Sequence, residues 1–148
     1  MNSNASSFVA CAIAFSAVAV FASATAATFG VARVALRFGN EKPAVIVERD
    51  DKLAAQAEIS FTGNGLLRAA WEIAGPNPDA NRPRFRILTD VQQPLGGRDA
   101  AILTSPRLPT NSTGLYLVRL RIVEPATTLE TPVIRYNVNE KKASQEQS

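Results

Sequence analysis

The sequence contains no histidine and only one cysteine, Cys11. Without histidine the chain has no histidine-based catalytic triad and no imidazole ligands for the commonest zinc and copper sites. The cysteine lies in an apolar N-terminal stretch, and the first charged side chain is that of Arg33. A domain formed by the rest of the chain therefore has no disulfide and must be held together by its apolar core.

The apolar N-terminal stretch covers residues 8–27 and ends in small residues at the spacing that signal peptidases recognise. We therefore expect residues 1–26 to be a signal peptide, with the mature chain beginning within residues 25–28 and located in the periplasm or outside the cell. The first seven residues contain no Lys or Arg, so a retained apolar anchor stays an alternative, although the stretch also lacks leucine. Cys11 lies too early in the apolar stretch for a lipoprotein acylation site.

Residues 27–138 are predicted to form one all-β domain, because apolar residues recur at every second position. The alternation is clearest where Ala55, Ala57 and Ile59 share one face of a strand. Gly63-Asn64-Gly65 then predicts a tight hairpin into the following strand. The predicted strands cover residues 31–38, 44–48, 53–61, 66–73, 84–91, 100–104, 115–123 and 132–138.

Between these strands, proline and glycine mark the loops. Three prolines within residues 76–83 predict an exposed loop, and residues 92–98 predict a turn. Residues 139–148 are rich in Lys, Glu, Gln and Ser, which predicts a disordered polar tail. Eight short strands without a helical stretch indicate a sandwich or a barrel.

Two features favour the sandwich. Trp71 lies fourteen residues after Ala57, the centre of the preceding strand, and residues 114–118 (GLYLV) resemble the strand of immunoglobulin-like domains that carries the corner tyrosine. The resemblance implies an immunoglobulin-like β-sandwich of seven or eight antiparallel strands. The positions of the family's disulfide are filled by residues such as Ala57 and Val118, so no disulfide is expected.

A second resemblance extends over two stretches, residues 61–73 (FTGNGLLRAAWEI) and 112–118 (STGLYLV). Both are similar to stretches of short exported proteins of Gram-negative bacteria that carry an immunoglobulin-like domain. This resemblance supports the predictions of fold and export, and it implies no activity.

The acidic residues offer little for catalysis. Asp50 and Asp51, with Glu48 nearby, form the only acidic cluster, and glycoside hydrolysis would need two carboxylates that face each other. Neighbouring residues on a strand point to opposite faces, so we expect a solvated turn. We predict no catalytic residues, no metal site and no cofactor. Nucleic acid is not expected as a partner, because the chain is exported and has no surface of interleaved aromatic and basic residues.

Arginine is the feature that suggests binding, since it outnumbers lysine twelve to four in a chain of net charge +3. If strands 66–73 and 115–123 are neighbours, their outward arginines share one sheet face with Glu72 and Leu66. The last strand adds a further arginine if it lies alongside. The predicted binding residues are Arg68, Arg119, Arg121, Arg135 and Leu117.

Three functions remain open from the sequence. The favoured hypothesis is a non-enzymatic exported module that binds another cell-envelope protein or assembly through a sheet face or an edge strand. The second is binding of an anionic envelope glycan or other polyanion through the arginines, which salt would weaken steeply. The least favoured is a hydrolase that uses carboxylates alone. Alternatively, Glu72 pairs with Arg119 or Arg121 and the arginines only keep the sheet soluble.

Overall fold

The computed structural model describes residues 28–97 and 99–141. The predicted signal peptide, residues 1–26, and most of the predicted polar tail lie outside this part of the chain. The described residues include no helix, and accordingly no helix with the length and apolarity to cross a membrane. They form eight strands: β1 (Gly30–Phe38), β2 (Ala44–Glu48), β3 (Ala55–Thr62), β4 (Gly65–Ala74), β5 (Arg86–Leu95), β6 (Ala100–Thr104), β7 (Gly114–Glu124) and β8 (Val133–Asn139).

The strands form the predicted sandwich of two sheets. One sheet has the order β1-β3-β6, and the other has the order β2-β8-β7-β4-β5. Neighbouring strands are antiparallel except β2, which runs parallel to β8 and departs from the expectation of antiparallel strands throughout. The sequence gives no sign of this pair, because side chains alternate in the same way whichever direction the neighbouring strand runs.

The inner faces of the two sheets form one apolar core. The residues that alternation places inward on β1, β3, β4, β7 and β8 are buried, except Ile122 of β7, which is half-buried. Ala57 and Val118, at the positions of the missing disulfide, are fully buried in opposite sheets. Burying a large apolar side chain contributes about 1.5–3 kcal/mol, so a core of this size replaces the disulfide. The largest fully buried side chains are Trp71, Tyr116, Tyr136, Phe38, Ile59, Leu67, Ile73, Leu108, Leu120 and Ile134.

Two stacked tyrosines fix the connection between β6 and β7 onto the sandwich. The Tyr116 hydroxyl donates to the Ser112 carbonyl at 2.9 Å, which is the corner-tyrosine geometry that the sequence predicts. The Tyr116 and Tyr136 rings stack at 4.8 Å, and the Tyr136 hydroxyl donates to the Pro109 carbonyl at 2.7 Å. Burial raises the pKa of the Tyr136 phenol above its ordinary value.

The link between β3 and β4 is not the predicted hairpin. The two strands belong to different sheets, so residues 63–64 form a corner that crosses the sandwich. A Cβ on Gly65 would lie 2.4 Å from Phe29 Cδ1, so the close packing of Phe29 requires glycine here. The Asn64 side chain accepts from the Gly97 amide at 3.3 Å. Glycine and asparagine suit any tight reversal of the chain, within one sheet or between two.

The turn predicted for residues 92–98 begins too early. Strand β5 continues to Leu95, which is buried, and Gln92 pairs with Arg68 of β4. Pro94 lies in this strand, and proline is tolerated there because β5 forms the edge of its sheet. At the other end of the chain, β8 includes Asn139, so regular structure extends into the predicted tail.

Candidate functional site on the outer face of the five-stranded sheet

The five predicted binding residues lie together on the solvent side of the five-stranded sheet, which we call the outer face. Strands β4 and β8 both flank β7, as the prediction required. The register places Leu117 between Ala74 and Arg135, and it places Arg119 beside Glu72. Alternation along neighbouring strands therefore brings residues that are distant in sequence onto one surface.

Glu72 is the centre of this face and is only 5% exposed. Its carboxylate accepts from Arg121 Nε at 2.6 Å and from Arg119 Nη2 at 3.3 Å. The Arg119 guanidinium carbon also lies 3.8 Å from the centroid of the Phe85 ring. Ion pairing and cation–π contact thus hold Arg119 from two sides. The structure shows the cross-strand pairing considered as the alternative to a binding face, and both arginines take part in it.

Arg68 is held more loosely. Its Nη1 lies 3.4 Å from Glu124 Oε1, and both side chains are about half exposed. An ion pair at this exposure contributes only about 0–1 kcal/mol. Arg68 and Arg121 line an open hollow of about 300 Å³ together with Asp90 and Val123, so their aliphatic stems and charged ends remain accessible.

Arg135 differs from the other three arginines. It is exposed, and within the described residues no carboxylate forms an ion pair with it. It lies in a groove of about 560 Å³, which we call the Arg135 groove. Its walls are formed by Asn40, Lys42, Ala44, Val45, Ile46, Leu115, Arg135, Tyr136 and Asn137.

The outer face also carries most of the exposed large aliphatic side chains in the described chain. Leu66, Ile87, Val123, Val133 and Ile46 belong to the five strands of this sheet and lie on its solvent side. Ile46 is the most exposed, at 71%. The sixth exposed residue of this kind, Ile102, lies on β6 of the other sheet.

The sequence placed Leu66 on this face, but it did not identify Lys42, Phe85 or the other exposed aliphatic residues as part of a site. Lys42 precedes β2 in an irregular segment, where alternation does not predict direction. Phe85 belongs to the predicted strand 84–91, but β5 begins only at Arg86, so alternation does not apply to it. Val133 was accessible to prediction, since it directly precedes the inward Ile134 on the last strand. The pattern also placed Glu72 on the outer face correctly, but it did not predict that Glu72 is buried there.

The acidic cluster forms a turn, as expected. Asp51 Oδ2 accepts from the Glu48 amide at 2.9 Å, and Arg107 donates to the main-chain carbonyl of Asp50. Within residues 28–97 and 99–141, no three His, Cys, Asp or Glu side chains are placed to hold a metal ion. The outer face offers cations and apolar surface, a combination suited to recognition.

Comparison with known proteins supports the fold. No protein-family model and no curated protein sequence matches this chain. Among solved structures, the CARDB domain of a Pyrococcus furiosus protein, determined in complex with di-metal ions, is similar with a TM-score of 0.54 at 12% identity. The match covers 78% of this chain and 96% of that one. A β-glucosidase from Listeria innocua matches with a TM-score of 0.48, over 72% of this chain and 16% of the enzyme, which supports no conclusion. The described chain therefore has an immunoglobulin-like fold, in common with the CARDB domain.

Proposed function

We propose that this protein is a non-enzymatic, exported interaction module that binds another protein of the cell envelope through the outer face. The observation that supports this most strongly is the concentration of exposed aliphatic side chains on that face, where five of the six in the described chain lie. Exposed apolar surface bordered by polar side chains is a common feature of protein-interaction sites. A mixed surface of arginine and aliphatic side chains is typical of protein interfaces.

A protein partner is favoured over a polyanion because much of the positive charge is already paired. Glu72 binds two of the arginines, and Glu124 binds Arg68. A polyanion would have to compete with these carboxylates. An apolar protein surface instead gains from the exposed aliphatic residues and leaves the ion pairs in place.

Export is part of the proposal and rests on the sequence. The apolar stretch of residues 8–27 precedes the first described residue, and the likeness of residues 61–73 to exported Gram-negative proteins supports the same compartment. We propose that residues 1–26 are removed and that the domain acts in the periplasm or outside the cell. The absence of histidine and the structural role of the acidic turn support a binding role over an enzymatic one.

The test is affinity capture from crosslinked envelope fractions, with the exported chain as bait. Ile87→Glu and Val133→Glu place a charge on the outer face, and Ile102→Glu places the same charge on the opposite sheet as a matched control. We expect one envelope protein that is captured by the wild type and by Ile102→Glu and is lost with the two outer-face variants.

Two outcomes would contradict the proposal. Equal recovery of every captured protein by all four baits would show that the outer face is not the interface. Retention of an anionic glycan that is released by moderate salt would favour the polyanion alternative, because screening weakens exposed charge contacts.

A further inference from the structure

The lining of the Arg135 groove carries an excess of positive charge. Two of its nine lining residues, Lys42 and Arg135, are cationic and none is acidic. Elsewhere on the outer face Arg68, Arg119 and Arg121 have carboxylate partners. At this corner a partner's carboxylate would meet Lys42 and Arg135 without displacing an ion pair of the described chain.

Apolar surface lies directly beside these cations. Ile46 is highly exposed at the edge of the groove, and Leu115 and Ala44 line it as well. The volume of about 560 Å³ is in the range of clefts that bind small ligands or a few side chains. A ligand that fits this arrangement combines an anionic group with an apolar neighbour.

The main chain along the groove is also available for pairing. The Pro43 carbonyl accepts a hydrogen bond from the main-chain amide of Arg135, and the main-chain amide of Arg49 donates one to the Asn139 carbonyl. The main-chain groups of the odd-numbered residues in this segment therefore face β8. In a strand of a parallel pair, the N–H and C=O groups of one residue point to the same side, and those of the next residue point to the other side. The main chains of Ala44 and Ile46 therefore face the open edge of the sheet.

The next residue along this edge is already closed off. The Glu48 amide donates to Asp51 Oδ2 at 2.9 Å, and its carbonyl accepts from the Asp51 amide at 3.1 Å. This turn caps the edge and limits added pairing to a short segment at Ala44 and Ile46. A short open edge beside a groove is a site for one extended peptide, whereas an uncapped edge would favour aggregation.

We infer that the Arg135 groove binds a short, extended acidic peptide segment of the envelope partner. The peptide pairs with the main chain at Ala44 and Ile46, places a carboxylate against Lys42 and Arg135, and lays an apolar side chain against Ile46. This inference rests on the proposed function, for which it names the contact and the chemistry of the partner. The open main chain favours a peptide over a lipid or a glycan, neither of which offers a regular row of amide groups.

The experiment measures binding of labelled peptides to the purified exported chain by fluorescence anisotropy. The probe is an extended peptide of alternating valine and threonine, about nine residues long, with one central glutamate. Matched peptides carry glutamine or lysine at the centre, and a further one carries N-methylated amides. We expect the glutamate peptide to bind about tenfold more tightly than the glutamine peptide and the N-methylated peptide not to bind.

Variants of the protein locate the site. Lys42→Glu and Arg135→Glu should each weaken binding of the glutamate peptide by about tenfold. Arg33→Glu makes the same charge change at an exposed position of β1 in the other sheet and should alter binding by less than about twofold. Thermal unfolding of each variant shows that the fold is kept.

Several results would overturn the inference. Equal binding of the glutamate and glutamine peptides would show that no anionic contact is made. Full binding of the N-methylated peptide would show that the peptide does not pair with the main chain of β2. Displacement of the peptide by anionic vesicles or a sulfated polysaccharide at equal charge would identify a general polyanion site. If the captured partner is lost with Val133→Glu but kept with Arg135→Glu and Lys42→Glu, the groove inference fails while the proposed function stands.

Discussion

One buried acid organises the residues of the outer face. The buried carboxylate of Glu72 is held by ion pairs with Arg119 and Arg121. We expect Arg119→Ala and Arg121→Ala each to lower the free energy of unfolding by about 1 kcal/mol, since one arginine remains. The double variant should lose about 3–4 kcal/mol, because the buried carboxylate then has no cation. Urea unfolding of the four proteins measures this coupling.

The matched control for that cycle is the exposed pair on the same face. Arg68→Ala should change stability by less than about 0.5 kcal/mol, since water solvates Glu124 once its partner is removed. Strict additivity of the Arg119 and Arg121 substitutions would show that Glu72 does not depend on them jointly.

The second prediction at this scale concerns alkaline pH and Tyr136. Burial raises the pKa of this phenol above its ordinary value of 10.0. Above about pH 10 the unfolded chain therefore loses the tyrosine proton while the folded chain keeps it, so stability falls as the pH rises. Tyr136→Phe should be about 1 kcal/mol less stable at neutral pH, because it loses the hydrogen bond to Pro109. Its stability should fall less steeply than that of the wild type above about pH 10. Parallel curves of unfolding free energy against pH would contradict the assignment.

At the level of elements, alternation was sufficient to predict where the strands are. The observed β2 and β6 have the predicted bounds, and the predicted inward residues of β4 are buried. The connections between strands were harder to predict, because glycines such as those at 63 and 65 suit a crossing between sheets as well as they suit a hairpin. The end of β5 was missed because Pro94 is a loop signal everywhere except at a sheet edge, and which strand forms the edge depends on the whole topology.

The start of β7 shows how one glycine joins two elements. Gly114 has φ 132°, and a Cβ there would lie 2.9 Å from the Asn77 side-chain amide. The Asn77 side-chain oxygen accepts from the Leu115 main-chain amide at 3.1 Å, and the Asn77 main-chain amide donates to the Leu115 carbonyl at 2.8 Å. Gly114→Ala should therefore strain the backbone and separate the loop after β4 from β7, which costs about 1–3 kcal/mol.

That prediction has an internal control. Asn77→Ala removes the side-chain contact but keeps glycine, so the cost of Gly114→Ala should decrease in that background. Thermal unfolding of the two single variants and the double variant measures the difference. An unchanged cost would assign the whole effect to the positive φ and none to Asn77.

At the level of the whole molecule, the sequence predicted a shared face and offered pairing of Glu72 with Arg119 or Arg121 as one role for it, but it did not distinguish the paired arginines of the described chain from the unpaired one. Alternation placed four arginines on one side of a sheet, and the topology then divided them into three with carboxylate partners and Arg135 with none. That division depends on which acid lies opposite which arginine, which is set by strand order and register. The free corner at Arg135 also needs Lys42 from a loop, whose position follows only from the folded chain.

The start of the domain links the fold to the proposed export. Among the described residues Phe29 is the first that packs against the core, with its ring 6.4 Å from that of Phe61 in an edge-on contact, and it lies after the predicted cleavage region at residues 25–28. A chain that begins at Thr28 should therefore be as stable as a longer one. A chain that begins at Gly30 should lose about 1–3 kcal/mol with the Phe29 contact. Mass spectrometry of the exported protein, combined with urea unfolding of the two shortened chains, tests both statements. Cleavage beyond residue 29, or equal stability of the shortened chains, would separate the export signal from the start of the fold.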